Sequence, residues 1–280
     1  MTVPRILIIA GSDSGGGAGI QADIKTVTML GGHAMTAVTA ITAQNTLGVT
    51  AVHPIPTEMV IAQMDAVLSD IGADAVKIGM IGSAETANAV ADRLGALDVP
   101  IVFDPVMVAT SGSVLADAPT IAAFERLLRI CTVATPNVDE LGALAGMAVK
   151  DSATRDRAVE IVMGSTGCRA LLAKGGDAKW TRAVGEIEDV LFYGDCDERA
   201  WRDAFIETRH AHGTGCTLAS AIATGLGHGA DLPDAVETAR AFVRAAMLAA
   251  PGFGSGHGPM GHHLGVIPFD EIEGNRAEQD

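Results

Sequence analysis

Apolar residues return along this chain in two rhythms. Ile6 to Ala10 is a short unbroken apolar run closed by Gly11, the pattern of a strand buried on both faces. Ala75-Val76-Lys77-Ile78, Ile101-Val102-Phe103, Thr132-Val133-Ala134 and Ala170-Leu171-Leu172-Ala173 repeat it. Elsewhere the apolar positions recur every three or four residues, the spacing of one helix face. That spacing covers Thr57 to Ser69, Ser83 to Leu94, Thr120 to Leu128, Ala153 to Met163, Thr217 to Gly227 and Pro233 to Ala249. Strand and helix alternate, which predicts an α/β fold with a mainly parallel sheet, helices on both faces and right-handed crossovers. From Asp177 to Arg209 the rhythm breaks into charges, with Trp180, Phe192, Tyr193 and Trp201 scattered among them, and hairpins or a surface excursion are expected. No repeat or linker divides the chain, so one domain over residues 1–270 is expected, followed by a polar tail over 271–280.

Composition narrows the function classes. A chain of 280 residues with 48% apolar and 19% charged content can bury one large core. Its 34 acidic residues outweigh 19 basic ones, a formal charge of −15, so the average field repels nucleic acid and anionic membranes. Any bound phosphate must therefore be held by backbone dipoles and a few placed cations. Cys131, Cys168, Cys196 and Cys216 form no Cys-x-x-Cys pair, which argues against a zinc ribbon or a thioredoxin-like motif. Reduced thiols in the cytoplasm are the expectation. The N-terminal apolar run is too short and wrongly flanked for a signal peptide. No run approaches the ~20 apolar residues that span a bilayer.

Two glycine-rich turns invite chemistry. Gly11 to Gly19 follows the first strand and precedes a helix beginning near Gln21, the place to look for a nucleotide loop. It fits neither G-x-G-x-x-G nor the phosphate-loop pattern, because Gly16 is followed by Gly17 and Ala18 rather than by Lys and Ser or Thr. What survives is a backbone able to approach a ligand closely, with a merely structural turn as the alternative. Gly213-Thr214-Gly215-Cys216 opens directly into a small-residue helix. Amides at a helix N-terminus, with the macrodipole, suit the negative charge of a phosphoryl group in transfer. The same field is expected to lower the pKa of Cys216 and make it a base toward a substrate hydroxyl. A small buried cysteine beside a glycine cap is the competing account.

The ordered segments Ala10 to Asp13 with Ser14 to Asp23, Thr39-Ala40 to Ala43-Gln44-Asn45-Thr46, Lys77 to Met80, and Asp104 to Met107 with Ser111-Gly112 resemble one known family. So do Thr135-Pro136-Asn137 with Glu140, Lys174-Gly175-Gly176 and His212 to Thr217. It is the bacterial hydroxymethylpyrimidine/phosphomethylpyrimidine kinases of thiamin biosynthesis, in the ribokinase-like superfamily, and the likeness runs along nearly the whole chain. The resemblance implies a three-layer ribokinase-like sandwich that phosphorylates 4-amino-5-hydroxymethyl-2-methylpyrimidine and then its monophosphate. It implies ATP as co-substrate, Mg²⁺ as cofactor and a homodimer.

Residue by residue, the resemblance moves the first glycine loop to the acceptor side. Gly11, Ala18 and Asp23 would line the pyrimidine pocket, Gln44 would read the aminopyrimidine edge, and Met80 with Val106 or Met107 would pack on the ring. Asp104 and Glu140 would organise the metal, while Lys174, Asn137, Glu140 and Thr214 would serve the triphosphate. Gly213, Thr214, Gly215 and Cys216 would form the reaction centre. Asn137-x-x-Glu140 also reads as a relative of the helix capping box, and the two readings are compatible. The chain departs from the family in carrying His210-Ala211 before the His212 segment. Rival readings are a pyridoxal or pyridoxine kinase on the same scaffold and a non-catalytic pyrimidine sensor. His257, His262 and His263 cluster near the C-terminus but lack helical spacing or a cysteine or carboxylate partner, so an ordered loop is expected rather than a metal site. His33, His53, His212 and His228 read as isolated structural residues.

Overall fold

The computed structural model describes residues 3–263 apart from 109–111, 113–114, 177 and 195–196. The expected tail at 271–280 and its boundary, Ser111 of the fourth segment and Cys196 lie outside the described residues. The chain runs β1 (Arg5–Ala10), α1 (Gly19–Met29), β2 (His33–Val38), β3 (Ala40–Asn45), β4 (Gly48–Pro54) and α2 (Thr57–Asp70). It continues β5 (Ala75–Ile78), α3 (Ala84–Leu94), β6 (Ile101–Phe103), α4 (Ala118–Ile130), β7 (Val133–Ala134), α5 (Val138–Ala145) and α6 (Ser152–Thr166). Then follow β8 (Ala170–Ala173), α7 (Lys179–Arg182), β9 (Glu186–Tyr193), β10 (Asp197–Ala204), α8 (Thr214–Gly227) and α9 (Leu232–Leu248).

All five apolar runs became strands of one sheet, ordered β10-β9-β8-β7-β6-β5-β1-β2. Pairing is parallel from β8 to β2, and the charged excursion supplies β9 and β10 as an antiparallel ribbon on the β8 edge. Alternate residues feed two cores, as the two-residue strand period requires. Leu7, Ile9, Val76, Ile78 and Phe103 face one core with helix residues such as Met64, Val90, Leu127 and Val162. Ile6, Ile8, Ala75, Val102 and Leu172 face the other, shared with Leu218, Ile222 and Val236. Fully burying each such side chain contributes about 1.5–3 kcal/mol before entropy is counted.

Helix starts differ in an instructive way. Ser83, Asp117, Asn137, Asp151 and Asp231 each accept a hydrogen bond from a first-turn amide of their helix. The helices α1 and α8 begin after Ala18 and Gly213, which offer no side-chain acceptor. Outside the large sheet, β3 and β4 form a separate two-stranded hairpin whose second strand is almost entirely exposed. No helix among the described residues is long and apolar enough to cross a membrane.

Candidate active site

The sheet order reverses at β1, with β2 on one side and β5 on the other. In open α/β sheets the crevice outside the carboxyl ends of the strands at such a point is where ligands bind. The chain leaves those ends through the Gly11–Gly19 loop after β1, Gly79-Met80 after β5, Asp104 after β6, Asn137 after β7 and Lys174 after β8. Residues scattered over 160 positions of sequence therefore meet at one rim.

On the β6–β8 side, Asp104 is almost fully buried and its Oδ1 accepts from Thr135 Oγ1 at 3.0 Å and from Lys174 Nζ at 2.9 Å. Glu140 Oε2 lies farther from the same ammonium, at 3.9 Å. Its pKa is raised to about 7 by burial and by the charge of Asp104, and Lys174 offsets this only in part because it is committed to Asp104. Burial works against the Lys174 charge, yet the carboxylates of Asp104 and Glu140 hold its pKa above the ordinary lysine value. Asn137 and Glu140 also form a full capping box, the Asn137 amide donating to Glu140 Oε2 at 2.8 Å and the Glu140 amide to Asn137 Oδ1 at 2.9 Å. The capping reading of these two side chains is thus realised in the structure.

The turn after Lys174 is pinned from behind. Asp189 Oδ1 accepts from the Gly175 amide at 2.8 Å, while its Oδ2 accepts from Arg240 Nε at 2.7 Å. A Cβ at Gly175 would run into the Glu188 carbonyl, so the turn requires glycine.

The start of α8 comes down onto this group. Gly213 takes φ +88°, and a Cβ there would collide with the Gly17 carbonyl, so the two glycine turns are in contact. A Cβ built on Gly215 would lie 3.3 Å from Lys174 Nζ and 3.4 Å from Asp104 Oδ2. An uncapped helix start, an ammonium and a carboxylate therefore converge within van der Waals reach. Cys216 stands in the first turn of α8, and here the electrostatic expectation fails. Burial pushes its thiol up to about 11, Asp23 and Asp104 add to the rise, and Lys77 and the Gly19 amide only partly oppose it. Desolvation outweighs the helix dipole, so the resting group is a neutral thiol.

Asp23 also falls elsewhere than the pocket wall. It is fully buried, its carboxylate accepting from Lys77 Nζ at 2.8 and 3.0 Å and from Ser220 Oγ at 2.7 Å. A lysine inside an apolar strand needs a buried counter-charge, and Asp23 supplies it. Burial raises the Asp23 pKa, with Lys77 the main opposing influence.

The acceptor side is built from the first glycine loop. Asp13 Oδ2 accepts from the Gly17 and Ala18 amides at 3.0 and 2.8 Å, and Oδ1 from the Gly15 amide at 2.8 Å. Burial works against the Asp13 charge, but these amides and His212 keep its pKa below the usual carboxylate value. Gly11 packs so closely on Met80 that a Cβ would meet Met80 Cε at 2.6 Å. Met80 and Val106 are half-buried at the ends of neighbouring strands, and Met107 is buried. Gln44 is half-buried at the end of β3, its Nε2 3.0 Å from His212 Nε2. His212 is therefore not isolated. Its Nε2 also stands 3.0 Å from Asp13 Oδ2.

The C-terminal loop is ordered by backbone contacts, the His257 amide donating to the Thr46 carbonyl at 2.8 Å. His262 Nε2 sits 2.8 Å from Thr217 Oγ1, and burial lowers its pKa to about 4. No group of three or more metal-ligating side chains forms among the described residues.

The family described as phosphomethylpyrimidine kinase matches residues 13–261 of this chain. The chain belongs to that family. A hydroxymethylpyrimidine/phosphomethylpyrimidine kinase of Rhizobium meliloti is 49% identical over 91% of this chain and 96% of its own. Among solved structures, phosphomethylpyrimidine kinase from Clostridium difficile matches with TM-score 0.74 and 33% identity over 87% of this chain and 98% of its own. Pyridoxal kinase from Staphylococcus aureus in complex with AMP-PCP and pyridoxal matches with TM-score 0.83 and 31% identity over 94% of each chain. This family member is accordingly a phosphotransferase of ribokinase-like fold that uses ATP as co-substrate.

Proposed function

We propose that the protein transfers the γ-phosphoryl group of ATP to the hydroxymethyl oxygen of 4-amino-5-hydroxymethyl-2-methylpyrimidine, and a second one to the resulting monophosphate, in thiamin biosynthesis. The observation that carries the reading is the meeting of Gly215 with Lys174 and Asp104, which puts helix-start amides and an ammonium where phosphoryl charge would develop. In each transfer the acceptor oxygen forms a bond to the γ-phosphorus, the bond to the β–γ bridging oxygen breaks, and ADP leaves. Amides of Gly213, Thr214 and Gly215 hold the equatorial oxygens, and Lys174 swings from Asp104 to the triphosphate. In the first transfer Cys216, neutral at rest, gives its own proton to solvent and as the thiolate takes the hydroxyl proton, so its activation belongs to the loaded site rather than to the free enzyme. The ionised monophosphate oxygen of the second transfer gives up no proton. Asn137 orients Glu140 through the capping box.

Asp104 and Glu140 suit Mg²⁺, because a hard cation takes carboxylate oxygens and the two carboxyl groups stand close enough to raise the Glu140 pKa beyond what burial alone does. When bound, the ion would neutralise charge on the β- and γ-phosphates. On the acceptor side, Gln44 reads the ring nitrogen and exocyclic amine, with Gly11, Ala18, Met80 and Val106 around the ring. Exposed Ile41, Leu47 and Val52 on the β3–β4 hairpin, spread over its two faces and its turn, support a homodimer that engages the hairpin as a whole. Reliance on ATP and free thiols at Cys131, Cys168 and Cys216 fit a cytoplasmic enzyme.

A pyridoxal kinase is the second reading, favoured by the fold likeness to the Staphylococcus aureus enzyme. ADP release measured with the hydroxymethylpyrimidine, its monophosphate, pyridoxal and pyridoxine, each with Mg²⁺ and ATP, separates the two. Turnover of both pyrimidines is expected, and none on either overturns the proposal.

A further inference from the structure

We infer that His212 is a specificity-positioning residue, locking the Gln44 amide in the one orientation that reads an aminopyrimidine edge. The inference rests on the acceptor reading proposed above. It begins with proton accounting. Asp13 Oδ2 is a carboxylate oxygen, already accepting from two amides, so the His212 Nε2 atom 3.0 Å away must carry the proton and donate. An N–H at that position leaves no lone pair for a second donor, yet the Gln44 atom beside it, also at 3.0 Å, is placed as the amide nitrogen. Oxygen and nitrogen of an amide have the same shape, and the hydrogen bonds decide between them.

The other end of the amide gives the same answer independently. The Gln44 atom placed as oxygen is 3.3 Å from Thr42 Oγ1, which is 2.8 Å from the Ser12 carbonyl. The single Thr42 proton is used on Ser12, so Thr42 offers Gln44 only a lone pair. Turning the amide over removes both conflicts: Oε1 shares the His212 Nε2–H with Asp13 Oδ2 in a three-centre bond, and Nε2 donates to Thr42 Oγ1. One lone pair on Oε1 and one N–H on Nε2 then remain for a ligand, in a fixed order. That pair complements an exocyclic amine beside a ring nitrogen, and it mismatches a pyridine edge bearing a phenolic oxygen and an aldehyde, which offers acceptors where the pyrimidine offers its donor.

The test compares His212→Leu, which deletes the donor, with His212→Gln, whose side-chain N–H reaches the place of Nε2–H. Catalytic efficiency is measured with the hydroxymethylpyrimidine and with pyridoxal, as turnover or as competitive inhibition, alongside KM for ATP and the ring ¹⁵N spectrum of His212. The lock predicts that His212→Leu loses about tenfold on the pyrimidine through KM, as for one unmatched buried hydrogen bond. The preference over pyridoxal narrows, KM for ATP holds, His212→Gln restores most of the loss, and wild-type Nε2 is protonated. Equal losses on both acceptors in both variants, or an unprotonated Nε2, overturn it. Should His212→Leu fail to fold, His212→Gln and the wild-type spectrum decide. A wild type that turns over pyridoxal but no pyrimidine defeats the acceptor reading instead, while the spectrum still tests the lock.

Discussion

Two lysine–aspartate pairs lie under the same rim, and they are built to opposite ends. Lys77 and Asp23 are both fully buried, and Ser220 completes the carboxylate's shell. Lys174 keeps 13% of its side chain exposed, shares itself between Asp104 and Glu140, and borders the opening of α8. The first pair has exchanged solvent for protein partners that occupy both carboxylate oxygens, which makes it a fixed part of the architecture. The second leaves Glu140 in ion-pair range of Lys174 but without a close contact to it, at 3.9 Å, with a pKa that burial raises to about 7. Chemical likeness does not predict role; completeness of the hydrogen-bond shell does.

The comparison breaks most visibly at Lys77. Lys77→Met strands a buried carboxylate and is expected to cost about 3–5 kcal/mol in urea unfolding, with Asp23→Leu/Lys77→Met together recovering most of it. Lys174→Met should lose less than half as much stability while kcat/KM for ATP falls by roughly 10²–10³, the cost of one transition-state donor. If the stability losses were equal, the two pairs would be the same device and the contrast would fail.

A third effect is smaller and bears on the thiol between the pairs. Cys216→Ala is expected to lower kcat about 10²-fold with KM little changed, as for loss of one proton-transfer group. Alkylation of Cys216 by iodoacetamide should climb about tenfold per pH unit from 7 to 10, as expected of a thiol titrating near 11. A reaction rate already flat at pH 8 would restore the dipole-activated thiolate that the burial argues against. Asp189→Asn should raise KM for ATP about tenfold and leave KM for the pyrimidine alone, because it loosens the Gly175 turn that carries Lys174.

Five parallel strands and most helices were legible because the two periods are local properties of the chain, and every apolar run reappeared in the sheet; the edge strand β2 was not read. The hairpin of β3 and β4 was not either, since β3 buries small or polar Ala40 and Thr42 while exposing Ile41, and β4 buries no residue, so neither strand shows an apolar alternation in sequence. At the site, Gly213 to Cys216, Asp104, Glu140 and Lys174 do converge, because each closes or follows a strand or opens a helix and the topology brings those ends together. Asp23 was assigned to the pocket because it lies in the same segment as Gly11 and Ala18, but one helical turn carries it inward to Lys77. That partnership had a signal: Lys77 in an otherwise apolar strand demands an acid somewhere. His212 and Asp13 gave none, being 199 residues apart in sequence. The sign of the Cys216 shift depends on how much water the fold removes, which no local motif records.

The smallest effect sharpens the contrast through pH. Glu140 titrates near 7 in the folded protein and near 4.5 when unfolded, so between those values the folded state holds the extra proton. Stability therefore falls as pH rises through that window and levels off above it. Cation binding runs the other way, because the carboxylate must be bare to ligate, so the apparent affinity for Mg²⁺ should strengthen several-fold from pH 6 to pH 8. Glu140→Gln should remove the Glu140 share of the stability slope and leave only the protonation of ATP itself in the Mg²⁺ titration. It should also bind the cation weakly throughout. Burial raises the Asp23 pKa as well, so the sealed pair adds a stability slope of the same sign that Glu140→Gln leaves in place. A Glu140→Gln enzyme whose stability slope from pH 5 to 7 equals that of the wild type would assign the whole titration to the sealed pair.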